Sequence, residues 1–192
     1  MNSVEGALAV LLEFYKDKGN IDSVNKSIKL LKECYKNNNK SLIVGNGGSA
    51  CDAMHYAQEL TGNFRIKRKA MPAIALTDPA HLTCVANDFG FEYVFSRGVE
   101  AFGNKGDVLI LLSTSGNSKN IILACQTAKK KGIKTIALLG KGGGKMKGMA
   151  DVEIIIPGET SDRIQELHML ILHTFIEGIE TSNDTKLTKY IP

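Results

Sequence analysis

The chain has 192 residues, 43% of them hydrophobic and 23% charged, with a net charge of +4. That length supports one domain with a full-sized core, and the composition is that of an ordinary globular protein. No apolar run is long enough to span a membrane, no basic-then-apolar N-terminus marks a secretory signal, and no basic tract interleaved with aromatics points to nucleic acid. The four cysteines, Cys34, Cys51, Cys84 and Cys125, form no close pair. They offer neither a zinc knuckle nor a redox motif and are expected as reduced thiols in a cytoplasmic protein.

Residues 1–40 read as two helices. Val4, Leu8, Leu11 and Tyr15 keep a helical spacing, as do Ile21, Val24, Ile28 and Leu31. These stripes must cover the core or a partner subunit. Strand and helix then alternate: a strand over 41–44, a glycine-rich turn at 45–49, a helix over about 50–60 and a strand over 73–76. A strand over 107–112 follows, with a Ser/Gly turn at 113–118 and a helix ending near Lys131-Gly132. Strands over 135–139 and 153–156 precede a long helix from about Asp162 to Glu180. Such alternation predicts a parallel sheet with helices on both faces, and the continuous apolar strands fit one. The strand–turn–helix unit at Leu42–Val44 recurs at Leu109–Leu112, so two turns fall at the carboxyl edge of one sheet, where open α/β folds bind ligands. No domain boundary is evident.

Four segments could carry chemistry. The turn Ser113-Thr114-Ser115-Gly116-Asn117-Ser118 offers four hydroxyls at a helix start, without a Lys or Arg of its own. One helix cap needs one hydroxyl, so four suggest a phosphomonoester held by neutral donors and the helix dipole. Gly45–Ala50 matches G-x-G-x-x-A between strand and helix, but lacks the acidic residue about 20 positions on that a dinucleotide site requires. Lys141-Gly142-Gly143-Gly144-Lys145 has P-loop character but is one residue short, and Met146 stands where Ser or Thr belongs; a flexible loop is the plainer expectation. Finally, His55 and Glu59 share a helix face, as do Gln165 and His173. A His with a carboxylate can bind zinc or act as acid and base, and is as often a plain ion pair. Spacing does not choose between His168 and His173.

The segments Gly45–Ser49, Cys51–His55, Glu59–Gly62, Asn87–Phe91, Phe95–Arg97, Ser113–Ser118, Gly140–Met146 and Asp162–His168 stand in the order and spacing of a known family. The chain resembles the sugar isomerase (SIS) domain, and within it the phosphoheptose isomerase family. The resemblance covers most of the chain after residue 40. It implies a Rossmann-like three-layer αβα sandwich over 1–192, preceded by N-terminal helices used in assembly, and a homotetramer with active sites at subunit boundaries. It implies zinc on His55, Glu59, Gln165 and His173, with Glu59 and His173 as the acid/base pair. Substrate contacts fall by position on Asn46, Gly47, Gly48, Glu59, Asn87, Asp88, Ser113, Thr114, Ser115, Ser118 and Gln165, leaving His168 as a neighbour. The activity implied is conversion of sedoheptulose 7-phosphate to D-glycero-D-manno-heptose 7-phosphate through an enediol, for lipopolysaccharide or capsule. A rival reading is a non-enzymatic SIS module that binds the replication initiator or senses sugar phosphates. The initiator-binding relative carries other residues at the positions of Glu59 and His173. A second rival, an isomerase of shorter sugar phosphates, usually carries regulatory domains for which this chain has no room.

Overall fold

A computed structural model describes residues 2–181. Helix α1 (Ser3–Lys16) opens on a capping box in which Asn2 and Glu5 satisfy each other's backbone N–H. Asp17 ends α1 and caps α2 (Lys18–Lys36), accepting from the N–H groups of Gly19 and Asn20. The chain then runs β1 (Ser41–Val44), α3 (Gly48–Thr61), β2 (Ala73–Ala75), α4 (Pro79–Asp88), α5 (Val94–Phe102) and β3 (Val108–Ser113). It continues through α6 (Lys119–Lys130), β4 (Lys134–Gly140), a 3-10 segment at Lys141–Met146, β5 (Val152–Ile156) and α7 (Ser161–Glu180). The tail beyond residue 181, in which no sequence pattern was found, lies outside the described residues.

The five strands form one parallel sheet in the order β2-β1-β3-β4-β5. Burial on both faces makes the strands continuous apolar runs, yet alternate residues serve different layers. Ile43, Ile110, Leu112, Ile136, Leu138, Ile154 and Ile156 pack under α1, α2, α3 and α7. Leu42, Val44, Leu109, Leu111, Ala137 and Leu139 pack under α4, α5 and α6. The order reverses between β1 and β3, which places the crevice for a ligand at the carboxyl ends of those two strands.

The expected three-layer sandwich is therefore present, with element ends within two residues of those read from sequence. Helices α4 and α5 were not read at all. Each is short, and α4 has a single buried apolar residue, Val85, so its sequence carries little periodicity.

His168 on α7 is wholly inaccessible, and neither ring nitrogen has a hydrogen-bond partner. It therefore belongs to the core rather than to the His/Glu cluster described below. Burial holds its pKa down to about 4. The unfolded chain binds a proton near pH 6.5 that the folded chain refuses, so the folded state loses stability as pH falls from about 6.5 to 4. His168→Leu should remove about 3 kcal/mol of that loss. Urea denaturation at pH 7.5 and pH 4.5 checks this. Equal acid sensitivity in the variant and the parent protein would rule His168 out as its source.

Candidate active site

The two turns meet at the β1/β3 crevice. The carboxamides of Asn46 and Asn120 exchange reciprocal hydrogen bonds, Asn46 Nδ2 donating at 3.0 Å and Asn120 Nδ2 at 2.8 Å. Asn120 is buried and spends its Oδ1 also on the N–H of Ile121. It was missed in the sequence, where the one available signal is an amide heading the apolar run Ile121-Ile122-Leu123-Ala124. Around this pair lies a cavity of about 290 Å³ lined by Asn46, Phe91, Glu92, Ser118, Lys119 and Asn120. Lys119, also missed, adds a cation beside a turn that has none of its own.

The four hydroxyls of the second turn divide into two kinds. Ser113 Oγ accepts from the N–H of Gly116 at 3.0 Å, and Ser115 Oγ accepts from the N–H of Asn117 at 3.1 Å. Those bonds shape the turn and leave each O–H free to donate. Thr114 pairs with the Ser161 hydroxyl at 3.2 Å. Ser118 stands at the start of α6 but makes no side-chain cap. So capping does not account for the Ser118 hydroxyl, which lines the same cavity as Lys119 and Asn120.

The loop at Lys141–Met146, expected as flexible, is laid against this turn. Met146 donates its N–H to the Gly116 carbonyl at 2.9 Å, and Lys145 donates to Asn117 Oδ1 at 3.1 Å. Positive φ at Lys141, Gly142, Gly143 and Gly144 is what curls it there, and the fully buried Met146 side chain anchors it. Three glycines make that conformation accessible.

The second half of the site lies between α3 and α7. His55 Nε2 is 3.1 Å from Glu59 Oε1, and His173 Nε2 is 3.5 Å from the same oxygen. One ligand atom from each residue falls within 4.8 Å of the others. Glu59 is 8% exposed, and its Oε2 is buried with no partner. Phe64 stacks on the His173 ring at 5.5 Å. This donor set fits zinc: bonds of about 2.0–2.2 Å in a tetrahedron put ligand atoms about 3.3–3.5 Å apart, and an orphaned carboxylate oxygen awaits a partner. Asp52 occupies the same face of α3, one turn before His55. Burial pushes its carboxyl up to about 6, against the pull of His55, and its Oδ2 has no partner.

Gln165 stands apart from the three. Its carboxamide packs over Gly48, where a Cβ would come within 2.7 Å of Oε1, and its Nε2 is 3.3 Å from Ser49 Oγ. Gly48 is thus small because the amide lies on it. Glu59 comes eleven residues after Gly48 on α3, about 16 Å along the axis. Hence the cluster does not sit beside the two turns within one chain. Asn87 and Asp88 lie three to four residues before Phe91, which lines the cavity at the turns. They bond to each other at 2.7 Å at the exposed end of α4, and Asp88 lines a separate cavity of about 600 Å³ with Arg97 and Lys130.

The sheet has a flavodoxin-like order with two Ser/Gly turns at its switch point, and the SIS domain model matches residues 5–140, which makes this a SIS-domain protein. Curated relatives narrow this. The phosphoheptose isomerase of Fusobacterium nucleatum is 53% identical over 94% of this chain and 93% of its own length. That of Vibrio cholerae is 57% identical over 91% and 92%. The solved phosphoheptose isomerase of Neisseria gonorrhoeae superposes with a TM-score of 0.85 at 39% identity, covering 92% of this chain and 94% of its own. The chain belongs to the phosphoheptose isomerase family and is a sugar-phosphate isomerase.

Proposed function

We propose that this chain converts sedoheptulose 7-phosphate to D-glycero-D-manno-heptose 7-phosphate in the cytoplasm, as a homotetramer with one zinc per subunit, supplying heptose for lipopolysaccharide or capsule. The observation that carries the reading is the buried Glu59 carboxylate held between two imidazoles, in a chain more than half identical to phosphoheptose isomerases. Aldose–ketose exchange moves one proton between C1 and C2 and needs a base and an acid close together. Glu59, whose carboxylate lies between both histidines, serves as the base that takes the carbon proton. His173 serves the carbonyl oxygen as acid. Zinc on His55, Glu59 and His173 would polarise that oxygen, and Gln165, which lies over Gly48 in this chain, would complete the set as fourth ligand only by leaving that position. The phosphate binds the hydroxyls of Ser113, Thr114, Ser115 and Ser118 and the start of α6, and remote binding of this kind positions C1 and C2. Asn46, Gly47, Gly48, Asn87, Asp88 and Gln165 contact the sugar chain.

Assembly from several copies is supported by three features. The cluster and the turns are separated within one chain, Asn87 and Asp88 face outward, and α1 exposes the apolar stripe Val4, Leu8, Leu12 and Tyr15. The four cysteines are free, and no helix among the described residues is long and apolar enough to cross a membrane.

The direct test is incubation with sedoheptulose 7-phosphate and observation of aldoheptose anomeric protons by NMR. Turnover of a shorter ketose phosphate with none of the heptulose would overturn the substrate assignment. Protein purified without chelator should carry about one zinc per chain. His55→Ala should lose it while keeping the far-ultraviolet dichroism of the parent. Full occupancy in that variant would remove His55 from the ligand set.

A further inference from the structure

The segment between α3 and β2 has no regular structure in its middle, yet it joins the two helices of the cluster. Arg68 lies within it, with a fully buried side chain. Its Nη2 donates to the Glu59 carbonyl at 2.7 Å, and its Nη1 to the Leu60 carbonyl at 2.8 Å and the Lys69 carbonyl at 3.3 Å. Its Nε donates to Glu180 Oε1 at 2.9 Å. The other Glu180 oxygen accepts the N–H of Arg65 at 3.1 Å, and Arg65 also pairs with Glu177. Thus one guanidinium holds the last carbonyls of α3, where orphan acceptors and the negative dipole end gather, and the end of α7.

We infer that Arg68 and Glu180 are positioning residues that set the spacing of Glu59 and His173; this rests on the proposed role of those two residues. Glu59 is itself one of the residues whose backbone Arg68 binds. Glu180 follows His173 by two turns of α7, so the two share a face. Phe64, four residues before Arg68, stacks on His173 and closes the same loop over the cluster. A buried ion pair is a poor device for stability alone, since apolar residues of similar volume often serve as well. What apolar residues cannot do is bind two carbonyls of α3 and a carboxylate of α7 at once. A planar five-donor fork can, and a lysine cannot.

The test separates positioning from folding. Single neutralisation would strand a buried charge, so the informative variant is the double Arg68→Met/Glu180→Leu, which removes both charges. It should still fold and assemble, with a lowered melting temperature from the carbonyls it leaves unbound. Its kcat on sedoheptulose 7-phosphate should fall by about 10–100-fold with KM little changed, and its zinc affinity in chelator competition by a similar factor. Arg68→Lys keeps the ion pair but not the fork, and should lose kcat in the same direction without loss of melting temperature. Parent-like kcat and zinc affinity in either folded variant would overturn the inference. Should the unaltered protein bind zinc but leave the heptulose unchanged, the substrate reading fails, and the zinc titration still decides the clamp.

Discussion

Glu59→Gln should lower kcat on sedoheptulose 7-phosphate by about 10²–10⁴ while leaving KM nearly unchanged. Glutamine keeps the size of the side chain and one oxygen able to face His55 and His173, so packing against α7 survives. It removes the carboxylate that can accept a carbon proton. The alternative is that Glu59 only holds a metal, and then the loss should track zinc content and be restored by added zinc. Exchange of the C1 proton with deuterated solvent tells the two apart. A zinc-loaded Glu59→Gln protein that still exchanges this proton at the parent rate would acquit Glu59 and pass the role of base to His173. His173→Asn should show the complementary defect. Interconversion should fall in the same range because the acid is gone, while washout of the carbon proton persists with Glu59 in place.

Gly116→Ala should cost about 3 kcal/mol or more in stability and should raise KM for the sugar phosphate. Two penalties coincide there. Gly116 has φ of +63°, a conformation that side chains resist, and a Cβ would overlap the Gly143 carbonyl. The overlap is with backbone, so no rotamer change relieves it. Gly116 also accepts the N–H of Met146, so pushing the loop at Lys141–Met146 away loosens the turn that carries Ser113, Ser115 and Ser118. Thermal unfolding and the concentration dependence of turnover measure the two effects. An unchanged KM in a destabilised variant would mean that the phosphate binds elsewhere.

Much of the framework was legible because its signals are local. Leu42–Val44 and Leu109–Leu112 are apolar runs that end in Ser/Gly turns, and a buried parallel strand leaves that trace whatever it packs against. The pair His55 and Glu59 is visible from helical spacing alone. What spacing could not decide was which histidine on α7 meets them. His168 and His173 differ only in the direction each faces, and that is set by how α7 lies over the sheet. The structure buries one and turns the other to Glu59. Pairings between residues far apart in sequence left no trace, even where one partner, such as Asn46, stood in a recognised turn. Asn46 and Asn120 are 74 residues apart and Arg68 and Glu180 are 112 apart, and neither member of either pair belongs to a periodic pattern. The curled form of the Lys141–Lys145 run was illegible for a related reason. Glycine permits positive φ anywhere, and only the neighbouring turn selects the one curled form.

The descent of the cluster from α3 and α7 has a consequence for biosynthesis. His173 leaves the ribosome 114 residues after Glu59. At about 5–20 residues per second, a nascent chain spends on the order of ten seconds with two of the three convergent side chains made and the third still missing. A truncated product ending before α7 has no such cluster at all. A complete donor set is therefore a property of a chain extended through α7, and a stalled or clipped chain offers a metal at most His55 and Glu59.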